Sequence, residues 1–333
     1  MRIGITYDLR SDYLAQGMSR EESAEFDSEN TISAIDAALR NLGFESVLIG
    51  NIKALTQKLA LGERWDAVFN ICEGLKGYAR EAQVPALLEA FDIPAVFSDP
   101  LTLAVALDKS WAKRIVRDHG VPTPSFTVIE KSQDITGVAM PFPVFLKPVG
   151  EGSGKGVNAL SRADDENQMR TSALDLLSKY RQPVLIEEFL PGREFTVGIT
   201  GTGDAAEILG IMEILPTANA VAHGYGYENK EHWEDKVNLR LADDAEAVTA
   251  GDVALRAWRA LRCRDGGRVD IRSDKNGVPN FIEANPLAGL NPDYSDLCFI
   301  ARFKGLTYED LIGKIMTSLE ARLSDTARQS IAA

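Results

Sequence analysis

Apolar residues 3–7 form a short run that ends at polar Asp8, and residues 29–42 set Ile32, Ile35, Ala38, Leu39 and Leu42 at helical spacing before Gly43 stops the pattern. Residues 46–49 read as the next strand, a helical stretch extends to about residue 61, and 67–71 is again a strand. A helix at 84–90 and a strand at 95–97 complete an alternation that predicts a parallel sheet covered by helices. One helix is expected over 102–118, after which the prolines of Gly120-Val-Pro-Thr-Pro124 mark a turn and a unit boundary. Beyond it lie a strand at 144–147, a glycine-rich turn at 150–156, a helix at 165–179 and a strand at 184–188. The remainder offers strands near 196–200 and 206–213, an irregular stretch to about 230 and a helix over 245–261. Strands at 268–272 and 279–283, paired around the turn 274–277, precede one terminal helix. The fold class is therefore α/β with α+β elements.

Composition narrows the partners. The 333 residues are 45% apolar and 26% charged, the make-up of an ordinary globular chain long enough for more than one core. A formal charge of −13 argues against nucleic acid, which calls for a basic face. Cys72, Cys263 and Cys298 stand far apart and suggest neither a disulfide framework nor a zinc site. No apolar run approaches the roughly 20 residues of a membrane span, and the opening residues read as a strand rather than a leader. A cytoplasmic enzyme acting on small molecules, with no membrane partner, is the expectation.

Three stretches carry candidate chemistry. In Arg268-Val-Asp270-Ile-Arg272 and Phe281-Ile-Glu283-Ala-Asn285, strand alternation sends Arg268, Asp270 and Arg272 to one face and Glu283 with Asn285 to one face of the partner strand. Two carboxylates and an amide oxygen form a hard-oxygen set of the kind Mg²⁺ uses while holding phosphates. Arg268 beside them is placed to neutralise charge on a transferring phosphoryl group. Alone, the same hairpin also reads as a solvated polar face. Lys147 precedes a loop with glycines at 150, 152, 154 and 156, where backbone N–H groups can close on an anion. That loop is neither a Walker A sequence nor a clean GxGxxG, and alone it is equally a plain turn. Val184-Leu-Ile-Glu187-Glu188-Phe-Leu190 is an apolar strand ending in carboxylates, followed by Glu194, which reads as a hinge or as an ordinary strand exit.

The order of these stretches resembles the ATP-grasp superfamily, and within it the D-alanine–D-alanine ligases. The resemblance extends over nearly the whole chain through Gly77-Tyr-Ala-Arg80-Glu81, Leu107-Asp108-Lys109, Gly120-Val-Pro-Thr-Pro and Asn285-Pro-Leu-Ala-Gly289-Leu. It implies an ATP-grasp fold with a Rossmann-like N-terminal domain at 1–100, a central subdomain at 101–188 and a C-terminal one with the metal site at 189–325. It implies an ATP-dependent ligase that joins a carboxylate to an amine through an acyl phosphate, with ATP and Mg²⁺, or Mn²⁺ in its place, and a homodimer. By the same resemblance, Lys109, Lys147 and Lys230 contact phosphates, with Ser153 in the loop that closes over them. Glu187, Glu188 and Leu190 frame adenine, and Glu194 holds ribose. Asp270, Glu283 and Asn285 match the metal ligands, Arg268 the transition-state arginine, and Gly289 the glycine of the oxyanion site.

The chain departs from that pattern where amino-acid substrates would sit. Asn70-Ile-Cys72-Glu73 stands where a histidine is usual, and Glu25-Phe-Asp27-Ser28-Glu29 replaces Glu-Val-Ser. Glu231 stands in place of a tyrosine, and Asn291-Pro-Asp293-Tyr294 in place of a serine-containing segment. Asp27, Glu73, Asn291 and Tyr294 are accordingly the substrate-site candidates, and a peptide ligase of a specialised pathway with another substrate is the alternative. Extra carboxylates at Glu73, Glu231 and Asp293 would favour a substrate with an added amine. A dinucleotide-dependent oxidoreductase is disfavoured because Ile5-Thr-Tyr-Asp8-Leu-Arg10 stands where GxGxxG would follow the first strand. A non-catalytic nucleotide binder would not require the Arg268, Asp270, Glu283 and Asn285 set.

Overall fold

The computed structural model describes residues 1–220, 226, 228, 229 and 232–332, with side chains through Ser324. Its first sheet contains β1 (Arg2–Tyr7), β2 (Glu45–Gly50) and β3 (Ala67–Ile71) in the order β2-β1-β3, all parallel. The helices of this region are α1 (Arg10–Ala15), α2 (Glu29–Asn41), α3 (Ile52–Ala60) and α4 (Gln83–Glu89). Ser28 caps α2 by accepting the N–H of Thr31, and Ile32, Ile35, Ala38 and Leu39 form its buried stripe. The strand expected at 95–97 is reduced to one parallel bridge, Ala95 to Val68. Phe97 takes a left-handed backbone (φ 75°) and gives its N–H to the Asp265 carboxylate, so the ladder cannot continue.

The helix expected over 102–118 is two helices, α5 (Pro100–Leu107) and α6 (Lys109–Asp118). Asp108 between them is extended, and its side chain caps α6 by accepting the N–H groups of Ser110 and Trp111. This break gives Lys109 and Lys113 a helix axis of their own. The next sheet, β4 (Phe126–Ile129), β5 (Val144–Pro148), β6 (Arg162–Ala163) and β7 (Val184–Glu188), runs β4-β7-β5-β6 and is antiparallel, with α7 (Glu166–Tyr180) on one face.

A five-stranded antiparallel sheet follows, made of β8 (Glu194–Thr200), β9 (Glu207–Pro216), β10 (Val237–Leu241), β11 (Gly266–Ser273) and β12 (Pro279–Asn285), in the order β10-β9-β8-β11-β12. Helix α8 (Ala245–Ala260) packs Ala254 and Trp258 against Phe195, Val269 and Phe281 of this sheet. The expected terminal helix is again two, α9 (Asp296–Phe303) and α10 (Tyr308–Ala332). Leu311 and Ile315 of α10 share a core with Ile35 and Leu39 of α2, joining the end of the chain to its start. Among the described residues no helix is long and apolar enough to cross a membrane.

Candidate active site

The hairpin β11–β12 sets the centre. A β-bulge between Asp270 and Ile271 shifts its register by one residue, and beyond it Arg268 opposes Asn285 and Asp270 opposes Glu283, which brings all four side chains to one face. Arg268 is ion-paired with Asp270 and lies 3.6 Å from Asp296, while Thr196 on β8 donates to Asp270 at 2.9 Å. Burial works against the Arg268 charge, but Asp270 and Asp296 outweigh it and raise its pKa. Lys109, at the start of α6, reaches the same point, 3.3 Å from Glu283, and donates to the Glu151 carbonyl at 2.5 Å. Among the described residues no three His, Cys, Asp or Glu side chains enclose an ion. Asp270, Glu283 and the Asn285 amide are instead an open hard-oxygen set, which fits a small cation whose other ligands come from phosphate oxygens and water.

Two cavities meet here, with Lys109, Glu151 and Glu283 lining both. The smaller, about 100 Å³, is a slot between the two antiparallel sheets, with Phe145, Leu190, Ile214 and Ile282 as its apolar lining. A flat aromatic base suits such walls. Lys147 and Glu187 line it, with Nζ and Oε1 2.8 Å apart. Burial pushes the Glu187 carboxyl upward, yet Lys113 and Lys147 overcome it and hold the pKa below the usual range. Glu188 is on the exposed rim, and Glu194 lies 3.4 Å from Arg272 at the slot edge.

The larger cavity, about 480 Å³, is lined by Asp27, Glu73, Ser153, Arg268, Asn285, Gly289 and Tyr294, and by the acids Glu25, Glu81 and Asp296. Burial raises the Asp27 carboxyl to about 7 against the pull of Thr31 and Arg10, and raises Glu81 to about 7 against Arg80. Burial, then Glu81, Glu25 and Asp27, pushes Glu73 well above the carboxylate range. Glu25 is tied down instead. It accepts the N–H of Gly152 at 2.7 Å and lies 3.2 Å from Arg80 and 3.3 Å from Lys155. A Cβ at Gly152 would stand 2.5 Å from Glu25 Oε1, so a larger residue there would push the carboxylate out of this contact.

Most of the expected residues that the structure describes thus converge, and two differ. Asn291 does not line the cavity: its amide donates to Ser28 and Thr31 at 3.1 and 2.9 Å, clamping its loop to the start of α2. Asp293 is exposed and accepts from Asn30 at 2.9 Å, so it adds no carboxylate to the pocket. Lys230 and Glu231 lie outside the described residues. Lys113, Lys155 and Arg80 were not assigned roles from the sequence. For Lys113 a signal existed in its position four residues after Lys109, one turn along the same helical face.

The family model for the D-ala D-ala ligase C-terminus matches residues 115–317. The D-alanine–D-alanine ligase of Aquifex aeolicus is 33% identical over 310 residues, covering 93% of this chain and 100% of its own. That of Bordetella petrii is 30% identical over 300 residues, covering 89% and 88%. In structure, the D-alanine–D-alanine ligase from Bacillus anthracis complexed with ATP matches with a TM-score of 0.72 at 22% identity, covering 98% of this chain and 99% of its own. With the fold, the register of β11–β12 and the paired cavities, these similarities establish that the chain belongs to the D-alanine–D-alanine ligase family and is an ATP-dependent ligase of ATP-grasp architecture.

Proposed function

We propose that this ligase joins two molecules of D-alanine, with ATP in the smaller cavity and the amino acids in the larger. The observation that carries the reading is the junction of the two cavities, where Lys109, Arg268, Asp270, Glu283 and Asn285 converge from one helix and two paired strands. A carboxylate oxygen of the first substrate attacks the γ-phosphorus there, the bond to the β-phosphate oxygen breaks, and ADP leaves. The neutral amine of the second substrate then attacks the acyl carbon, the bond to the phosphate oxygen breaks, and the proton lost from nitrogen leaves with the phosphate. Asp270, Glu283 and Asn285 would hold Mg²⁺, or Mn²⁺, which when bound would screen the charge between the approaching anions. Lys147 and Lys230 contact the phosphates, and Arg268 meets the charge that develops on the transferring group. Ser153 and the Gly150–Gly156 loop cover the junction and exclude water, and Gly289 contributes a backbone donor. Glu187, Glu188 and Leu190 frame the base, and Glu194 takes the ribose.

The acids at Asp27 and Glu73 receive a substrate ammonium, with Tyr294 on the cavity wall. A second reading, a ligase for a substrate with an additional amine, is favoured by Glu73 and Glu81, which line the cavity without a hydrogen bond or ion pair among the described residues. The named relatives favour D-alanine. The unit boundaries at 100 and 188 are supported by the three sheets, each of which falls within one of the three units. Cytoplasmic residence, supported by three free buried cysteines, and a homodimer complete the proposal.

Purified protein with ATP, Mg²⁺ and D-alanine is expected to release phosphate and give a product with the mass of the dipeptide. Asp270→Asn and Glu283→Gln are expected to lower kcat by at least about 100-fold while the unfolding midpoint stays within a few degrees. Near-wild-type rates in both variants would remove these residues from the site. Faster turnover with a diamino acid than with any D-alanine reaction would favour the second reading.

A further inference from the structure

Two lysines lie one turn apart on α6, and the proposed chemistry uses only Lys109. Lys113 is fully enclosed, with no exposed surface. Its ammonium has three N–H groups and meets three acceptors: Glu187 Oε2 at 2.8 Å, Thr123 Oγ1 at 3.1 Å and the Phe281 carbonyl at 3.2 Å. The Thr123 hydroxyl donates to the same Phe281 carbonyl at 2.9 Å, and the Phe281 ring lies 5.9 Å from the ammonium. Lys113 is therefore held by two hydrogen bonds and one ion pair, all within the protein. It links α6 to Glu187 on β7 and to β12, the two strands whose sheets enclose the slot. Lys147 differs: Glu187 Oε1, at 2.8 Å, is the one partner found for it among the described residues, and it lines the slot. Two of its donors are left for a ligand.

Burying a cation this completely is costly, and an apolar side chain of similar length would pack the site at lower cost. The charge count supplies a reason to keep it. Without Lys113, Glu187 and Lys147 form a neutral pair facing the slot. With it, the trio carries one net positive charge, and each carboxylate oxygen of Glu187 lies 2.8 Å from an ammonium. Burial lowers the Lys113 pKa to about 8, with Glu187 opposing, whereas Lys147 is raised because Glu187, Glu283 and Asp270 outweigh its burial. The residual charge thus sits on the lysine that faces the ligand.

We propose that Lys113 is a positioning residue for nucleotide binding, acting through Glu187 to keep Lys147 directed at the triphosphate. The proposal rests on the reading of that slot as the ATP site. The test is a double-mutant cycle of Lys113→Met, Lys147→Ala and the double variant, with KM measured separately for ATP·Mg²⁺ and for D-alanine. Lys113→Met is expected to raise the ATP KM about 10-fold, to change the D-alanine KM by less than about twofold, and to add less than about twofold on the Lys147→Ala background. An unchanged ATP KM, an equal rise for both substrates, or a full additional loss in the double variant would overturn it. If Lys113→Met fails to fold, Lys113→Gln, which can still hydrogen-bond Thr123 but carries no charge, takes its place in the cycle with the same expected pattern and the same overturning outcomes. An ATP KM that Lys147→Ala leaves unchanged would overturn the ATP-site reading itself. Loss with Lys147→Ala and none with Lys113→Met would overturn this inference alone.

Discussion

Asp27 shows how one residue reports its surroundings. It lines the larger cavity near Asp8, Arg10 and Thr31, and burial raises its carboxyl from 3.8 to about 7. The folded protein therefore keeps this proton where the unfolded chain has lost it. The associated stability is fully present below 3.8 and disappears as pH rises through about 7. Above that range wild-type protein bears the cost of an ionised, poorly solvated acid unless a substrate ammonium is bound. Asp27→Asn is expected to leave stability unchanged near about pH 4 and to increase it by about 1–3 kcal/mol near about pH 8, read from urea unfolding without ligand. Equal effects at both pH values would show that Asp27 is solvated. D-alanine affinity should fall in the same variant, because the neutral amide no longer attracts the ammonium.

Among the elements, the glycine-rich loop 150–156 is the proposed cover of the junction. Gly156 has φ 79°, and a Cβ there would meet Pro148 at 2.6 Å, so the chain can turn back only with glycine. The loop is nevertheless fastened. Arg80 donates to the Gly150 carbonyl at 2.8 Å, Gln182 accepts the Gly150 N–H at 2.7 Å, and Glu25 takes the Gly152 N–H together with Arg80 and Lys155. Burial opposes ionisation of Glu25, but Arg80, Lys155 and the Gly152 N–H prevail and lower its pKa. A charge-assisted contact of this kind is worth about 1.5–3 kcal/mol, and about 1.4 kcal/mol is a tenfold change in an equilibrium. Glu25→Gln is therefore expected to speed tryptic cleavage after Lys155 by about 10-fold without nucleotide, with protection restored by ATP·Mg²⁺. An unchanged cleavage rate would mean that the remaining contacts hold the loop without Glu25.

Across the whole molecule, Asp265 joins three regions. It is completely buried, and its carboxylate accepts from the Phe97 N–H at 2.8 Å, Ser318 at 2.8 Å and two nitrogens of Arg322 at 2.9 and 2.5 Å. These partners come from the end of the N-terminal region and from α10, while Asp265 itself immediately precedes β11. Asp265→Asn keeps the shape but removes the anion opposite Arg322. Breaking one partner of a buried pair costs about 3–5 kcal/mol, which for a chain of this size lowers the unfolding midpoint by about 4–7 °C. Calorimetry checks this, and a midpoint within about 1 °C of wild type would deny Asp265 that role. The residues of the catalytic junction are untouched by this change, so kcat at low temperature should persist.

The parts of this protein legible in sequence are those governed by local rules. Period-two alternation places Arg268 and Asp270 on one face of β11 and Glu283 and Asn285 on one face of β12, but a β-bulge between Asp270 and Ile271 shifts the register set at the turn by one residue, and only beyond it does Asp270 oppose Glu283. Helical spacing likewise exposes α2, whose apolar stripe is written in its own residues. Other features depended on partners distant in sequence. The break in the helix expected over 102–118 is by contrast local, because Asp108 caps α6 by accepting the N–H groups of Ser110 and Trp111 two and three residues on. The strand at 95–97 fails because its N–H at Phe97 is claimed by Asp265, 168 residues away. Asn291 sits within the motif region yet turns its amide to Ser28 and Thr31, more than 250 residues earlier. Composition and periodicity report what a side chain can do within a few residues of itself. Which buried charge meets which partner, as Lys113 meets Glu187 and Phe281, is decided only when the sheets close together and exclude the water that would otherwise serve either one.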